Sequence, residues 1–432
     1  MNYGFFRVAS ISPSLSVADC DFNSKQIIEL VKKAQDKKIK LLVFPELSIC
    51  AYTCADLFEQ KMLQEECYLA LKNICAETKN CNVLFCVGLP VELDSERFNC
   101  AAFVYKGKIL ALIPKSFIPN YSEFYESRWF TSFSENTVKQ ISLCKGLEDI
   151  PFGTDIFIQD ENDSSIKISA ELCEDLWVPF SPSTRHALNG ATIIANLSAS
   201  NEVAGKAEYR RMLVAGHSAK TVSAYIYANA SHDESSTDMI FSGHNIIAAN
   251  GAIKAESALF ENTQEFLIAD IDLEKLTQDR IKSTTFSRST SFAKSEYKTI
   301  FVSGLQQEHF AENIDEQLYE KIALHPFVPS DIQKRKERCF SIIEMQSEGL
   351  AKRLRHIHAQ GAVIGLSGGL DSTLALLVCA RAFDKCNISR EKIFSITMPA
   401  FGTTDRTFNN ACLLAKEMGT TLKEINIKDA VI

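Results

Sequence analysis

Residues 362–379 read AVIGLSGGLDSTLALLVC, and this stretch decides the fold of the second half of the chain. A β-branched apolar run ends at Leu366, a serine and two glycines follow, and apolar helix formers continue the sequence. This order predicts a strand, a tight loop and a helix. Glycines let backbone N–H groups converge on an anion, and the helix N-terminus adds partial positive charge.

The six residues 367–372, SGGLDS, therefore predict a phosphate-binding loop. The loop differs from a Walker A motif, because no Gly-Lys-Ser/Thr sequence follows the glycines. The alternative is an ordinary glycine-rich turn before a helix. Around the loop, the sequence predicts helices at 331–358 and 408–418 and strands at 392–398 and 421–427.

These elements describe the start of a parallel, Rossmann-like α/β domain at 331–432. Three strands are fewer than a nucleotide-binding sheet usually has, so we expect this second domain to be truncated. The loop at 399–407, PAFGTTDRT, carries Arg406, which could contact a phosphate or could simply belong to a capped helix start.

Residues 1–271 alternate short apolar strands with amphipathic helices, which predicts a layered α/β domain. Asn250-Gly251 predicts a hairpin turn. The second half of this domain shows more antiparallel character, so we expect a sandwich with its helices outside. The predicted helices are 22–37 and 62–79, and the predicted strands are 6–11, 41–44, 82–88, 101–105, 166–170, 192–196, 224–229, 244–248 and 266–270. Residues 272–330 lose this periodicity and are predicted to be an interdomain linker.

Composition narrows the class of protein. The chain has 432 residues, 46% hydrophobic and 23% charged, with a net charge of -8, which is ordinary for a globular enzyme and disfavours nucleic-acid binding. Its 14 cysteines form no Cys-x-x-Cys pair, which disfavours a zinc site or a disulfide framework. We find no signal peptide and no apolar run of about 18 residues, so we expect a cytoplasmic enzyme without a membrane partner.

Three chemically distinct side chains lie at predicted strand ends. Glu46 lies in LLVFPELS, Lys115 in ALIPKSFIPNY and Cys173 in KISAELCEDLW. A carboxylate base, a cation and a thiol are the set needed to hydrolyse an amide through a thioester. Taken singly, Cys173 could be a small buried hydrophobe and the other two could be surface charges.

The segments around these residues resemble the three catalytic segments of the carbon-nitrogen hydrolase (nitrilase) superfamily. The segments 234–251 (ESSTDMIFSGHNIIAANG) and 325–331 (HPFVPSD), with the phosphate loop, further resemble the glutamine-dependent NAD+ synthetase family. The resemblance implies a nitrilase-type α-β-β-α sandwich, a linker and an adenine nucleotide alpha hydrolase-like synthetase domain. It covers essentially the whole chain.

The resemblance also implies roles for individual residues. Cys173 is the nucleophile and Glu46 the general base. Lys115 stabilises the tetrahedral intermediate with the backbone N–H of Glu174, and Glu126 is a second carboxylate that orients Lys115. The residues expected to hold glutamine are Tyr121, Ser200 and Lys206, of which Lys206 stands where relatives are expected to carry Arg.

The implied reaction joins ammonia from glutamine to deamido-NAD+ that ATP has adenylated, with Mg²⁺ assisting the departure of pyrophosphate. Asp371 is the expected magnesium ligand. A homo-oligomer is also implied, and the chain is expected to hold the whole glutaminase and less than half of the synthetase. The ATP-binding residues would be Gly365, Leu366, Ser367, Gly368, Gly369, Leu370, Asp371 and Ser372.

Three rival hypotheses stay open from the sequence. The chain could be a stand-alone amidase with a vestigial synthetase segment, a supplier of ammonia to another adenylating partner, or an inactive regulatory subunit. The presence of Glu46, Lys115 and Cys173 together argues against the last of these.

Overall fold

The computed structural model describes residues 4–134, 137–261, 265–306, 318–320, 322–399 and 404–427. The chain divides into two compact units, Met1–Lys321 and Ile322–Ile432. In the first unit the helices are α1 (Cys20–Asp36), α2 (Lys61–Glu77), α3 (Pro182–Leu188), α4 (Lys206–Thr221), α5 (Leu273–Lys282) and α6 (Thr284–Ser289). Its strands are β1 (Phe5–Ser10), β2 (Leu41–Val43), β3 (Leu84–Leu93), β4 (Glu96–Tyr105), β5 (Lys108–Pro114), β6 (Lys139–Ile141), β7 (Ile150–Phe152), β8 (Ile156–Asp160), β9 (Lys167–Leu172), β10 (Ile193–Ser198), β11 (Ala224–Asn229), β12 (Ile246–Ala249), β13 (Ala252–Glu256), β14 (Leu267–Asp272) and β15 (Lys298–Val302).

These strands form two sheets that pack face to face. One sheet has the order β14-β1-β2-β3-β4-β5-β7-β6, and the other has the order β13-β12-β11-β10-β9-β8-β15. Inward-facing residues of both sheets, such as Leu41 and Ile193, belong to one buried apolar cluster. Helices α1 and α2 pack on the outside of the first sheet, and α4 packs on the outside of the second. The predicted α-β-β-α sandwich is therefore confirmed.

Local sequence accounts for the boundaries of several elements. Helix α1 begins after Asp19, whose side chain accepts a hydrogen bond from the Phe22 N–H at 2.9 Å. The turn between β12 and β13 has Asn250 and Gly251 at positive φ, 44° and 83°, as a two-residue hairpin of the predicted kind requires.

The second half of this unit is not richer in antiparallel pairs than the first, so that expectation was wrong. Both sheets are mixed. Strands β9, β10 and β11 are mutually parallel, because α3 and α4 cross over between them, while hairpins add antiparallel partners at the edges.

The segment predicted as a linker, 272–330, contributes regular structure to the first unit. It contains α5, α6 and β15, and β15 pairs in parallel with β8 at the edge of the second sheet. Because an edge strand is half exposed on both faces, β15 lacks the clean alternation by which strands are recognised. Residues 307–317 of this segment lie outside the described residues.

The second unit is built as the sequence predicts. It contains α7 (Ile332–His356), β16 (Ala362–Gly365), α8 (Leu370–Lys385), β17 (Ile393–Thr397), α9 (Asp405–Glu417) and β18 (Thr421–Glu424). The sheet order is β16-β17-β18 and both pairings are parallel. Residues 400–403 of the second predicted loop lie outside the described residues. None of the helices in the described part of the chain has the length and apolar composition that a membrane crossing requires.

One glycine brings the turn after β2 against the first sheet. A Cβ on Gly88, in β3, would lie 2.1 Å from the backbone N of Leu47 and 2.9 Å from the backbone C of Glu46. The neighbouring strand therefore has room for the Glu46–Leu47 turn only because this position has no side chain.

We expect Gly88→Ala to destabilise the first unit by about 3 kcal/mol, because the added methyl group overlaps backbone atoms that cannot rotate away. Urea unfolding followed by circular dichroism measures the change. The matched control is Gly216→Ala in α4, where a Cβ meets nothing within 4 Å, and this variant should be more stable than the wild type by about 0.5–1 kcal/mol. Equal stability of the two variants would contradict the close approach.

Candidate active site

The three strand-end residues meet inside the sandwich. Glu46 follows β2, Lys115 follows β5 and Cys173 follows β9, so two come from one sheet and one from the other. All three side chains are buried, as is the Glu126 side chain, which lies in a short 3-10 helix, Glu126–Arg128. The structure thus brings together all four residues expected to be catalytic.

Lys115 is the centre of this cluster. Its Nζ donates to Glu46 Oε1 at 2.6 Å and to Glu126 Oε1 and Oε2 at 3.0 and 2.8 Å. Burial alone would lower the pKa of Lys115, but the charges of Glu126 and Glu46 outweigh it and raise this pKa well above its ordinary value. Lys115 is therefore a permanent cation held by two carboxylates.

Glu46 is a carboxylate with the properties of a base near neutral pH. Burial raises its pKa to about 7, against the opposing effect of the Lys115 charge. Its Oε2 accepts a hydrogen bond from the backbone N–H of Ala199 at 2.9 Å. A carboxylate poised in this way can take a proton at neutral pH and return it.

Cys173 lies on a strained turn between β9 and a 3-10 helix, Cys173–Leu176. Its φ is +41°, a left-handed conformation that non-glycine residues rarely adopt. Burial, with a further contribution from the Glu46 charge, raises the pKa of the Cys173 thiol. The thiol is therefore protonated at neutral pH and depends on a nearby base to become a nucleophile.

Asp175 connects the turn that carries Cys173 with the chain after Lys115. Its buried carboxylate accepts hydrogen bonds from the backbone N–H groups of Phe117 at 2.8 Å, Leu172 at 3.0 Å and Ser116 at 3.1 Å. One side chain thereby holds two of the strand ends in register. Asp175 was not among the residues predicted from the sequence, although an acidic residue two positions after the cysteine was a visible signal.

Asn99, in β4, was also missed. Its Nδ2 donates to Glu46 Oε1 at 2.6 Å and to Glu126 Oε1 at 2.9 Å. Tyr52 completes the surroundings of Glu126, because its hydroxyl donates to Glu126 Oε2 at 3.1 Å. A lone amide within the apolar run FNCAAFV was the only signal for Asn99 in the sequence.

Two of the expected glutamine-binding residues are Tyr121, which contacts Glu174, and Lys206, which lies beside the rings of Trp177 and Phe124. The Tyr121 hydroxyl donates to Glu174 Oε2 at 3.0 Å. Lys206 Nζ lies 5.5 Å from the ring centroid of Trp177 and 5.4 Å from that of Phe124, and burial lowers its pKa. A cation held over two rings can recognise an anionic group of a ligand.

Ser200, the third expected residue, is buried. Its Oγ accepts a hydrogen bond from Arg210 Nη2 at 3.3 Å, and its backbone N–H donates to Asn229 Oδ1 at 2.8 Å. Arg210 is itself fully buried and also donates to Glu202 and to the Asn201 carbonyl. Ser200 is thus held rigidly by neighbours that the sequence argument did not identify.

A cavity of about 110 Å³ adjoins this cluster. Glu126 and Tyr52 line it on the side of the cluster, and Phe124, Trp129 and Met239 supply apolar walls. The volume corresponds to about three to four waters at liquid density, and Cys173, Glu46 and Lys115 are not among the residues that line it.

The predicted phosphate loop has the expected form in the second unit. Strand β16 ends at Gly365 and α8 begins at Leu370. Ser367 Oγ lies 3.0 Å from Ser372 Oγ, and the Gly369 N–H donates to Ser367 Oγ at 3.3 Å. Gly368 has a φ of +78°, and a Cβ there would lie 1.9 Å from the carbonyl oxygen of Thr407, so only glycine fits.

Arg406 shares an open cleft of about 910 Å³ with Gly368 and Gly369. It lies in the first turn of α9, whose cap is Thr404, with Oγ1 accepting from the Thr407 N–H at 3.3 Å. Both sequence-based interpretations of Arg406 therefore remain compatible with its position. Asp371 lies in the first turn of α8, beside the loop.

Comparison with known families agrees with this division of the chain. The carbon-nitrogen hydrolase model matches residues 7–281, and the NAD synthase model matches residues 342–432. The chain belongs to the carbon-nitrogen hydrolase family. The first unit of this family member carries the cluster of Glu46, Lys115, Glu126 and Cys173, and the second carries the predicted phosphate loop.

Individual relatives match along nearly the whole chain. The glutamine-dependent NAD(+) synthetase of Mycobacterium tuberculosis H37Rv is 34% identical over 427 residues, which is 99% of this chain and 62% of that protein. The enzyme of the same name from Thermotoga maritima is 27% identical and covers 98% of this chain and 65% of its own length. The chain thus spans about 62–65% of the length of these relatives.

Solved structures agree on the fold. A glutamine-dependent NAD(+) synthetase from Cytophaga hutchinsonii aligns with a TM-score of 0.55 at 22% identity, over 99% of this chain and 66% of that one. A Nesterenkonia amidase of the nitrilase superfamily, in a mutant form, aligns with a TM-score of 0.51 at 17% identity, over 66% of this chain and 97% of that one.

We expect Asp175→Asn to destabilise the first unit by about 2 kcal/mol, because an amide NH2 would face backbone N–H groups that now donate to a carboxylate. The control makes the same chemical change at Asp272, which caps α5 by accepting from the Lys275 N–H at 2.8 Å. Asn caps helices as well as Asp, so Asp272→Asn should be nearly neutral. Urea unfolding of both variants measures the difference, and a neutral Asp175→Asn would contradict the bridging role.

Proposed function

We propose that this chain acts in the glutamine-dependent synthesis of NAD+. The first unit would hydrolyse the side-chain amide of glutamine, and the second would bind ATP for the adenylation of deamido-NAD+, which the ammonia then converts to NAD+. One observation carries the proposal: a buried Glu-Lys-Glu-Cys cluster and the glycine-rich SGGLDS loop between β16 and α8 occur in one chain. The names of the matched relatives support the choice of substrates.

In the proposed hydrolysis, Cys173 attacks the amide carbon of glutamine. Glu46 takes the thiol proton as the C–S bond forms, and the carbonyl electron pair moves onto oxygen. The proton on Glu46 then passes to the amide nitrogen, the C–N bond breaks and ammonia leaves. Water, activated by the same carboxylate, hydrolyses the thioester and releases glutamate.

Lys115 and the backbone N–H of Glu174 would stabilise the oxyanion. In the structure, Lys115 donates to three carboxylate oxygens and has no further hydrogen to offer. When Glu46 accepts the thiol proton it loses its negative charge, so its hydrogen bond with Lys115 weakens. The ammonium group can then transfer that hydrogen bond to the oxyanion at the moment when charge develops there.

Glutamine would be recognised by its charged end as well as its amide. Lys206 carries the positive charge suited to the α-carboxylate, and Glu174 and Tyr121 lie on the same side, where they could bind the α-ammonium group. Ser200 would present its backbone and hydroxyl from a position fixed by Arg210.

In the second unit, the loop 365–372 and the N-terminus of α8 would hold the phosphates of ATP. Asp371 fits as a magnesium ligand, because Mg²⁺ is usually held by one or two carboxylates together with substrate phosphates. The ion would neutralise charge on the phosphates as pyrophosphate departs. Ser367 and Ser372 would contribute hydroxyl donors to the same phosphates.

A stand-alone amidase is the second candidate, supported by the resemblance of the first unit to the Nesterenkonia amidase fold. It differs in one measurable property, since its amide turnover would not respond to ATP and deamido-NAD+.

The 14 cysteines are free thiols in the structure, which supports the proposal of a reducing, cytoplasmic location. The homo-oligomer stays a prediction.

We expect Cys173→Ala to lower glutamine hydrolysis by about 10⁴-fold or more, because only the nucleophile is deleted. Glu46→Gln and Lys115→Met should fall to a similar level, since parts of one covalent mechanism are not additive. The measurement is glutamate release by the purified full chain. Cys144→Ala, at a half-buried thiol elsewhere in the unit, is the control and should retain activity.

A chloroketone analogue of glutamine should also add one adduct, on Cys173, when located by peptide mapping. Labelling of another cysteine, or near-normal hydrolysis by a folded Cys173→Ala protein, would refute the assignment of the nucleophile.

We expect the full chain to bind ATP about tenfold more tightly with Mg²⁺ than with EDTA, and we expect Asp371→Ala to abolish this difference in Kd, because Asp371 would supply an oxygen ligand that helps to hold the ion at the phosphates. Isothermal titration calorimetry measures both affinities. Asp384→Ala, at the other end of α8 where Asp384 pairs with Arg390, is the control and should keep the difference. An Asp371→Ala protein with an unchanged response to Mg²⁺ would remove Asp371 from the site.

A further inference from the structure

We infer that Asn99 is a positioning residue for the amide hydrolysis, which holds Glu46 in place and directs the thiol proton to one oxygen of its carboxylate. The inference rests on the proposed function. It starts from the fact that one buried carboxamide donates to both carboxylates of the cluster, at 2.6 Å to Glu46 Oε1 and at 2.9 Å to Glu126 Oε1.

The orientation of the Asn99 amide is fixed by these two contacts. If the group were rotated by half a turn, its oxygen would face two carboxylate oxygens at hydrogen-bond distance, which is repulsive. In the observed orientation, Asn99 Oδ1 is buried and has no hydrogen-bond partner among the described residues. An unsatisfied buried acceptor costs stability. The two hydrogen bonds that the amide donates to the carboxylates therefore account for an Asn at this position.

The contacts of Glu46 are unequal at its two oxygens. Oε1 accepts from Asn99 and from Lys115, so both of its lone pairs are occupied. Within the described part of the chain, Oε2 accepts a single hydrogen bond, from the Ala199 N–H. The proton from Cys173 therefore goes to Oε2, whose second lone pair is available.

Asn99 matters most once that proton has moved. The S–H bond breaks, the O–H bond forms on Oε2, and Lys115 transfers its hydrogen bond from Glu46 to the oxyanion. Asn99 is uncharged, so its own bond to Oε1 survives the loss of charge on Glu46. It keeps the new carboxylic acid aligned for the return of the proton to the amide nitrogen as the C–N bond breaks.

A pH profile can distinguish this role from a purely structural one. The Asn99 hydrogen bonds stabilise the ionised form of Glu46, so their removal raises the pKa of that carboxyl group. The other titratable groups that face Glu46 stay in place in an Asn99 variant. They are Lys115 after β5, Glu126 in its 3-10 helix, Cys173 after β9 and Tyr52 in the loop after β2.

The experiment uses iodoacetamide, whose primary amide resembles that of glutamine, and follows the alkylation rate of Cys173 by mass spectrometry from pH 5 to 9. In the wild type, the rate should rise with pH as Glu46 ionises, around its pKa of about 7. In Asn99→Leu, which matches the shape of Asn without its donors, this rise should move to higher pH by about one unit. The acidic limb of kcat/KM for glutamine should move with it.

The control is Asn196→Leu, at a fully buried Asn in β10 that donates to the Tyr225 hydroxyl at 2.8 Å and does not contact the carboxylates. It should lose stability and leave the pH dependence where it is. If Asn99→Leu does not fold, Asn99→Ser, which retains one hydroxyl donor, should show a smaller shift in the same direction.

An unmoved pH dependence in a folded Asn99 variant, or an equal shift in Asn196→Leu, would overturn the inference. If the wild type fails to hydrolyse glutamine while Asn99→Leu still shifts the alkylation profile, the proposed function fails and the positioning role stands.

Discussion

A buried ammonium group between two buried carboxylates is the interaction on which the first unit depends. Removing three charges from water is expensive, and their mutual attraction compensates only when nearly every hydrogen-bonding position is filled. Here Lys115 donates to three of the four carboxylate oxygens, and the Ala199 N–H donates to the fourth. The Asn99 amide and the Tyr52 hydroxyl donate to oxygens that Lys115 also contacts. The cluster thus connects β2, β4, β5 and β10, and its stability requires these strands to be in register.

The surroundings of the cluster are built around this requirement. Gly88 lets the turn of Glu46 lie against β3, and Asp175 fixes the end of β9 to the chain that follows β5. A further carboxylate, Glu234, accepts from the backbone N–H groups of Tyr52 and Thr53 at 2.8 and 3.0 Å, which holds the loop that delivers the Tyr52 hydroxyl. The contacts of Gly88 with the Glu46 turn, of Asp175 with Phe117 and of Glu234 with Tyr52 join segments that are far apart in the sequence, so the site forms only with the complete sandwich.

This dependence explains what the sequence could and could not predict. Glu46, Lys115 and Cys173 were visible because each stands at the end of an apolar run and has a chemistry of its own. The predicted phosphate loop and the Asn250-Gly251 turn were visible because the residues within each short segment determine its backbone conformation. Asn99 and Asp175 could not be assigned a role in this way, because their importance lies in partners that only the tertiary structure supplies. Edge strand β15 was missed for a related reason, since its partner β8 lies about 140 residues earlier in the chain.

Both protonation equilibria at the centre of the site lower the stability of the folded state as the pH rises, but over different pH ranges. Lys115 has a folded-state pKa above its ordinary value, so its ionised form contributes stability that is present at neutral pH and is lost only as the pH rises through that value. Glu46 has a folded-state pKa of about 7, above its ordinary value of about 4.3, so the folded state binds more protons than the unfolded one between these values. Its contribution to stability therefore decreases as the pH rises toward neutrality. Burial thus disfavours the ionised form of the carboxylate that can accept the thiol proton, and Lys115 and Asn99 are the groups that keep it available as a base.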